Sequence, residues 1–142
     1  ERVILAKRQS YMNNSGLAVQ LITSYYKLLA TDIWVIHDDI DLPLGSMKIR
    51  FGGASAGHHG VESIMEHLNT DKFWRFRMGT GIQSSKFKVE SSKLKNVEDF
   101  VLGNFTGSEK SKVKNLIKRG VAAIEASLED GLEAAMNRFN TK

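Results

Sequence analysis

The run Ile33-Trp34-Val35-Ile36-His37 constrains the fold more than any other feature of this chain. It has no polar break and no helical spacing, so it predicts a strand covered on both faces, as in the interior of an α/β sheet. Helical periodicity precedes it. Leu17, Val19, Leu21, Ile22, Tyr25, Leu28 and Leu29 recur behind an entry at Asn14-Ser15-Gly16, and Thr31-Asp32 ends that helix. Val3-Ile4-Leu5 has the composition of a short strand. After the buried run, residues 38–45 read as a loop holding Pro43, the one proline of the chain. Residues 47–51 alternate as a strand, residues 52–60 are too rich in Gly and Ala for a regular element, and residues 61–68 predict a short helix with Ile64 and Leu68 inward. Residues 73–78 alternate aromatic and basic side chains, which predicts a strand with Arg75 and Arg77 on one face. Residues 79–95 are polar. Ser108 can cap a helix striped by Val113, Leu116, Ile117, Val121, Ile124 and Leu128; Gly131 interrupts it, and residues 132–139 add a last turn or two. Strands alternating with helices predict one α/β domain, its sheet flanked by helices, which suits 142 residues.

Several classes of protein are excluded early. The chain has no Cys, so it has neither a disulfide framework nor thiolate chemistry. No apolar run approaches the roughly 20 residues that span a bilayer, and the segment from Glu1 lacks the apolar core of a signal peptide. Neither a membrane association nor secretion is expected. The sequence starts at Glu1 without a Met, which reads as a mature, trimmed or partial product. The net charge of +4 permits a polyanionic partner. Its distribution is more telling: Asp38, Asp39 and Asp41 form an acidic spot, while Lys48, Arg50, Arg75 and Arg77 sit on two predicted strands. If those strands are neighbours, the four bases make one cationic patch suited to phosphate.

Three segments carry residues fit for chemistry. Asp38 follows the C-terminal end of the buried run, where ligands bind in open α/β sheets. A carboxylate there can orient an imidazole and stabilise its charged form. Three acids in four residues are an alternative ligand set for a hard cation, against which the segment lacks the dense alternation of oxygen ligands of a dedicated site, or they form a solvated turn. The second segment, Gly52-Gly53-Ala54-Ser55-Ala56-Gly57-His58-His59-Gly60, leads small residues into a helix N-terminus, a place where backbone amides meet anions. Its spacing matches neither the P-loop nor the dinucleotide fingerprint, and His58 and His59 lack a third ligand for a metal. One of the two histidines is expected to pack structurally and the other to line a cleft. The third segment is Tyr11-Met12-Asn13-Asn14-Ser15-Gly16. Asn at a helix entry is commonly a cap, yet a side-chain amide there also offers a donor and an acceptor to a substrate carbonyl or amide.

Taken in order, Asn-x-Ser-Gly at 13–16, His-Asp-Asp-x-Asp-Leu-Pro-x-Gly at 37–45, Gly-Gly-x-x-x-Gly-His-x-Gly at 52–60 and Phe-x-Arg-x-Arg-x-Gly-x-Gly at 73–81 resemble bacterial-type peptidyl-tRNA hydrolase. The similarity continues through Phe100-Val101-Leu102-Gly103 to Asp130-Gly131 and Asn137-Arg138, so it covers essentially the whole chain. The resemblance implies a mixed β-sheet flanked by helices and cleavage of the ester between a peptide and the 3′ ribose of tRNA, with no metal or organic cofactor. It implies that Asp38 orients a catalytic histidine and that Asn13 holds the substrate near it. By the same resemblance His59, with Gly57, His58 and Gly60, would surround the reacting carbonyl, and Met12 would line the peptide cleft. Lys48, Arg50 and Arg77 look like the bases that grip tRNA phosphates, and the stretch at 79–95 would lie near the tRNA-facing surface. The family's first strand, its Gly-x-Gly-Asn-Pro-Gly motif and its catalytic histidine would precede Glu1. None of His37, His58, His59 or His67 stands at that position. Gly57-His58-His59-Gly60 also replaces the family's Gly-His-Asn-Gly, and His59 can donate one hydrogen bond in place of the amide. The implied partners are peptidyl-tRNA and the ribosome, the enzyme acting as a monomer in a bacterial cytoplasm or a mitochondrial matrix. A catalytically inactive homologue serving as an RNA-binding or ribosome-associated assembly subunit is the alternative, and a hydrolase of another ester or amide a third.

Overall fold

The fold is taken from a computed structural model, which describes residues 2–7, 14–81 and 107–140. Those residues form an α/β protein with one mixed three-stranded sheet and four helices. Contacts divide the chain into two compact units, Glu1–Trp34 with Phe51–Trp74, and Val35–Arg50 with Arg75–Lys142.

The first unit is built on a close helix pair. Helix α1 (Ser15–Tyr26) has no side-chain cap from Asn14. Its exposed backbone donors must go elsewhere, and the Gly16 N–H donates to Ser63 Oγ at 2.9 Å. Ser63 belongs to helix α2 (His59–Leu68). A Cβ at Gly16 would lie 2.0 Å from the Ser63 carbonyl oxygen, so only glycine lets the helices approach this closely. This crossing overturns the expected buried stripe of α1. Ser15, Gly16 and Thr23 are the buried residues, whereas Leu17, Leu21, Tyr25 and, past the helix end, Leu29 are exposed. Close backbone packing selected the small face over the apolar one. Lys27, in the left-handed region at φ 57, ends α1, and a 3-10 turn at Ala30–Asp32 follows, with Asp32 Oδ2 accepting from the Leu29 N–H at 2.9 Å. Val61, Ile64 and Phe73 form the core of this unit, and full burial of a Phe contributes about 2–3 kcal/mol. Val3, Ile4 and Leu5 are exposed and lack regular structure, so the short strand expected there is not formed.

The sheet has strands β1 (Trp34–Pro43), β2 (Met47–Phe51) and β3 (Trp74–Gly81), in the order β1-β3-β2. Strand β3 runs parallel to β1, because Trp74 N–H donates to Ile33 O at one end and Leu44 N–H donates to Gly81 O at the other. It runs antiparallel to β2, where Gly52 pairs with Phe73 and Gly79 with Ser46. Residues 38–43 are therefore strand and not the loop expected from their acids. The compensating signal is the Gly-x-Gly at the end of β3. A Cβ at Gly79 would meet Pro43 O at 2.1 Å, and one at Gly81 would meet Ile40 O at 2.1 Å. Those glycines belong to a strand, not to the polar stretch that follows, because β1 passes directly against them.

Helices α3 (Gly107–Asp130) and α4 (Leu132–Phe139) pack on each other in the second unit. Ser108 lies inside the first turn of α3 and not at its cap. In α3 Leu116, Gly120, Ala123, Ala126 and Ser127 are buried, while Ile117, Val121 and Leu128 of the expected stripe are exposed, Ile117 and Val121 facing the sheet across an open cavity. Gly120 lies close to the sheet, since a Cβ there would stand 2.7 Å from Met78 Cε on β3. Beside this contact a cavity of about 320 Å³ opens between β1, β3 and α3, lined by Ile36, Phe76, Met78 and Thr80 among others. None of the described residues that line it is titratable.

The free edge of β2 is closed by a single side chain. Asn140 Oδ1 accepts from the Ile49 N–H at 2.7 Å, and its Nδ2 donates to Ile49 O at 2.9 Å. One amide thus imitates a neighbouring strand at the edge of the sheet. Asn140→Ala leaves both groups unpaired and should cost about 1–3 kcal/mol. Urea unfolding measures the loss, and Asn140→Asp, which keeps only the acceptor, should fall between the two.

Candidate active site and cationic strand face

The acids of β1 are held by the ladder and by each other. His37 is buried, with Nδ1 2.8 Å from Asp38 O. A carbonyl only accepts, so Nδ1 carries the proton in this contact. Asp38 is half-buried. Asp39 is more heavily used: Oδ1 accepts from the Asp41 N–H at 2.9 Å, and Oδ2 takes the Arg77 Nε–H at 2.6 Å. Among the described residues, no group of three or more His, Asp or Glu comes together in a way that holds a metal ion. The strand explains this, since alternation sends successive acid side chains to opposite faces where a loop could have converged them.

The bases of β2 and β3 do become neighbours. The Gly52–Phe73 and Gly79–Ser46 bonds set the antiparallel register, which places Lys48 opposite Arg77 and Arg50 opposite Arg75. The rings of Phe51 and Trp74, next in that register, stand 4.9 Å apart on the other face. Lys48 and Arg50 are exposed. Arg75 is only 2% exposed, so the four-residue patch expected from alternation loses one member. Arg77 is intermediate, its side chain 15% exposed and its ion pair with Asp39 partly sheltered. Like charges directly opposite on a ladder repel, and Asp39 on the other flank of Arg77 offsets the charge of Lys48.

The glycine-rich segment, in the first unit, is a shaped loop. Gly52, Gly53, Ala56 and Gly57 all have positive φ, which explains its composition. Gly53 N–H donates to Asp71 Oδ2 at 3.0 Å, tying the loop to the turn before β3. His58 caps α2 by accepting the Val61 N–H on Nδ1 at 3.1 Å. That bond requires Nδ1 to be unprotonated. His59 is exposed in the first turn of the helix, Gly60 is buried behind it, and a Cβ at Gly57 would meet nothing within 4 Å. Of the two histidines, His58 takes the structural part as the helix cap, while His59 is exposed and lines no described cavity.

Met12 and Asn13 lie outside the described residues, as do residues 82–95 and 100–103. Four side chains with structural consequence escaped the sequence reading: Ser63, Asp71, Asn140 and the pairing of Asp39. Each acts on a partner distant in the chain, as with the 38 residues that separate Asp39 from Arg77. The Asp38-Asp39 pair within β1 is the one local signal that a carboxylate there has a partner to meet.

Fold and site together define an α/β protein with a mixed sheet, an acidic strand and a basic strand face beside it. The family model for peptidyl-tRNA hydrolase matches residues 1–142. A peptidyl-tRNA hydrolase of Dehalococcoides mccartyi strain CBDB1 is 41% identical over 140 residues, which are 99% of this chain and 71% of that protein. One of Nostoc sp. strain PCC 7120 is 39% identical over 140 residues, 99% of this chain and 68% of its own. Among solved structures, peptidyl-tRNA hydrolase from Acinetobacter baumannii superimposes with a TM-score of 0.78 at 28% identity, covering 93% of this chain. The chain belongs to the peptidyl-tRNA hydrolase family. It spans 63% of the length of that solved chain.

Proposed function

We propose that this chain hydrolyses the ester between peptide and tRNA in prematurely released peptidyl-tRNA, returning free tRNA. The observation that carries this reading is the match of one family over all 142 residues, in a chain whose exposed Lys48 and Arg50 flank Arg77 on adjoining strands. The chemistry is attack of water on the ester carbonyl, assisted by a histidine base that Asp38 orients. Asn13, His59 and the backbone at Gly57 and Gly60 would surround the reacting carbonyl, with His58 fixing the helix start behind them. Met12 would face the peptide. Lys48, Arg50 and Arg77 would meet tRNA phosphates, where each neutralised phosphate releases counterions and makes binding salt-sensitive. No helix among the described residues is long and apolar enough to cross a membrane. A bacterial cytoplasm and a mitochondrial matrix both suit the reading, with the enzyme acting as a monomer on tRNA released from the ribosome.

The test uses the natural polypeptide that carries this sequence, with N-blocked aminoacyl-tRNA as substrate. Release of free tRNA and blocked amino acid is the expected result; salt-sensitive tRNA binding without cleavage would overturn it. Lys48→Ala should weaken tRNA binding about uniformly across tRNA species and lower the slope of log Kd against log salt by about 1. A filter-binding titration at several salt concentrations reads both effects.

A further inference from the structure

The Asp39–Arg77 pair has a geometry that an ordinary surface ion pair lacks. Arg77 sits on β3, the middle strand, with Asp39 on one neighbour and Lys48 on the other. Asp39 is itself immobilised. Its Oδ1 is held by the Asp41 N–H, and its side chain is 9% exposed. The contact to the guanidinium runs through Nε at 2.6 Å and not through the terminal nitrogens. An arginine held by Nε keeps its two Nη groups for a second acceptor, and the planar fork then points in one direction. A phosphate needs that arrangement, since it accepts two parallel N–H bonds from an arginine edge.

We propose that Asp39 is a positioning residue for the cationic face: it grips Arg77 by Nε and thereby aims the Nη edge, beside Lys48, at a phosphate of the RNA. This rests on the tRNA reading proposed above and deepens it. The carboxylate lowers the net charge of the face, so its contribution is orientation and not attraction. It also relieves the repulsion between Lys48 and Arg77, which would otherwise splay the two side chains apart. Asp38, one residue earlier, orients the histidine that serves the ester, and Asp39 the arginine that meets the RNA backbone. The paired acids of the motif thus divide two tasks.

The experiment compares wild type, Asp39→Asn, Asp39→Glu, Arg77→Gln and Arg77→Lys in steady-state cleavage of N-blocked aminoacyl-tRNA and in salt-dependent tRNA binding. Asp39→Asn should raise KM about tenfold with kcat unchanged, and should lower the salt slope by about 1, as Arg77→Gln does. The double variant Asp39→Asn/Arg77→Gln should be no worse than Arg77→Gln alone, because both remove the same contact. Asp39→Glu keeps the carboxylate and should restore most of the affinity. Arg77→Lys keeps a cation for Asp39, and so keeps the fold, but has no fork; its KM should rise as well. A lower melting temperature for Asp39→Asn with KM and salt slope unmoved would show a purely structural cross-strand pair and overturn the proposal. Tighter tRNA binding would overturn it too, showing that Asp39 only competes with phosphate. Wild-type KM for Arg77→Lys would remove the role of the fork. Failure of the wild type to bind tRNA would remove the tRNA reading itself along with this one.

Discussion

Asp38→Asn should lower kcat for peptidyl-tRNA cleavage by about 10²–10⁴-fold while leaving KM within about threefold. The substitution keeps the size and strand propensity of the side chain, so β1 should hold its place beside β3. What it removes is the charge and half of the hydrogen-bond accepting capacity. An imidazole that serves as a base needs its second nitrogen held by an acceptor, which fixes the tautomer and stabilises the cation that forms as water attacks. An amide can present its N–H₂ to that nitrogen and hold the ring in the wrong tautomer. The loss falls on the chemical step because phosphate contacts bind the RNA equally well in ground and transition states. Steady-state and single-turnover kinetics on N-blocked aminoacyl-tRNA separate the two parameters. Near-wild-type turnover would remove Asp38 from the mechanism.

The largest effect on stability should come from Gly16→Ala. The added methyl would sit 2.0 Å from Ser63 O and 2.4 Å from His67 Nδ1. The first neighbour is backbone, so relief requires α1 and α2 to move apart and stretches the Gly16–Ser63 hydrogen bond. A cost of about 3 kcal/mol is expected for overpacking of this kind, with a fall in Tm of roughly 10 °C. Thermal unfolding followed by circular dichroism gives the shift. Ser63→Ala makes the complementary measurement, removing the acceptor without crowding the crossing, and should cost less, about 1 kcal/mol. A Gly16→Ala variant as stable as wild type would mean that the helices are not held at this separation.

Local chemistry made much of the fold legible. Strands at 34–37, 47–51 and 74–78 announce themselves by β-branched and aromatic runs or by alternation, and α2, α3 and α4 by spacing and by Gly131, whose φ of +94 suits glycine at a break between helices. What the pattern misjudged were faces and ends. In α1 the largest apolar side chains were expected inward, but Gly16 marks where backbone comes closest, and close approach decides which face is covered. In α3 Ile117 and Val121 of the expected stripe face the sheet across an open cavity and stay exposed. The strand at 38–43 was missed because its acids resemble a loop. Its pairing is legible only from the far partner, where Gly79 and Gly81 leave room for the carbonyl groups of β1.

The candidate site divides in the same way. Motif order singles out Asp38, Lys48, Arg50, Arg77 and the Gly57–His59 segment as candidates, and the α/β class and the family followed from the sequence by itself. Motifs of this kind are local, so a single chain displays them without folding. Only the tertiary structure decided which bases share a face, that Arg75 is withdrawn from it, that Asp39 grips Arg77, and that Asn140 closes the edge of β2. Each of these depends on strand register or on a partner tens of residues away. Hydrophobic periodicity specifies an element and its approximate face, but carries no information about which element will lie beside it.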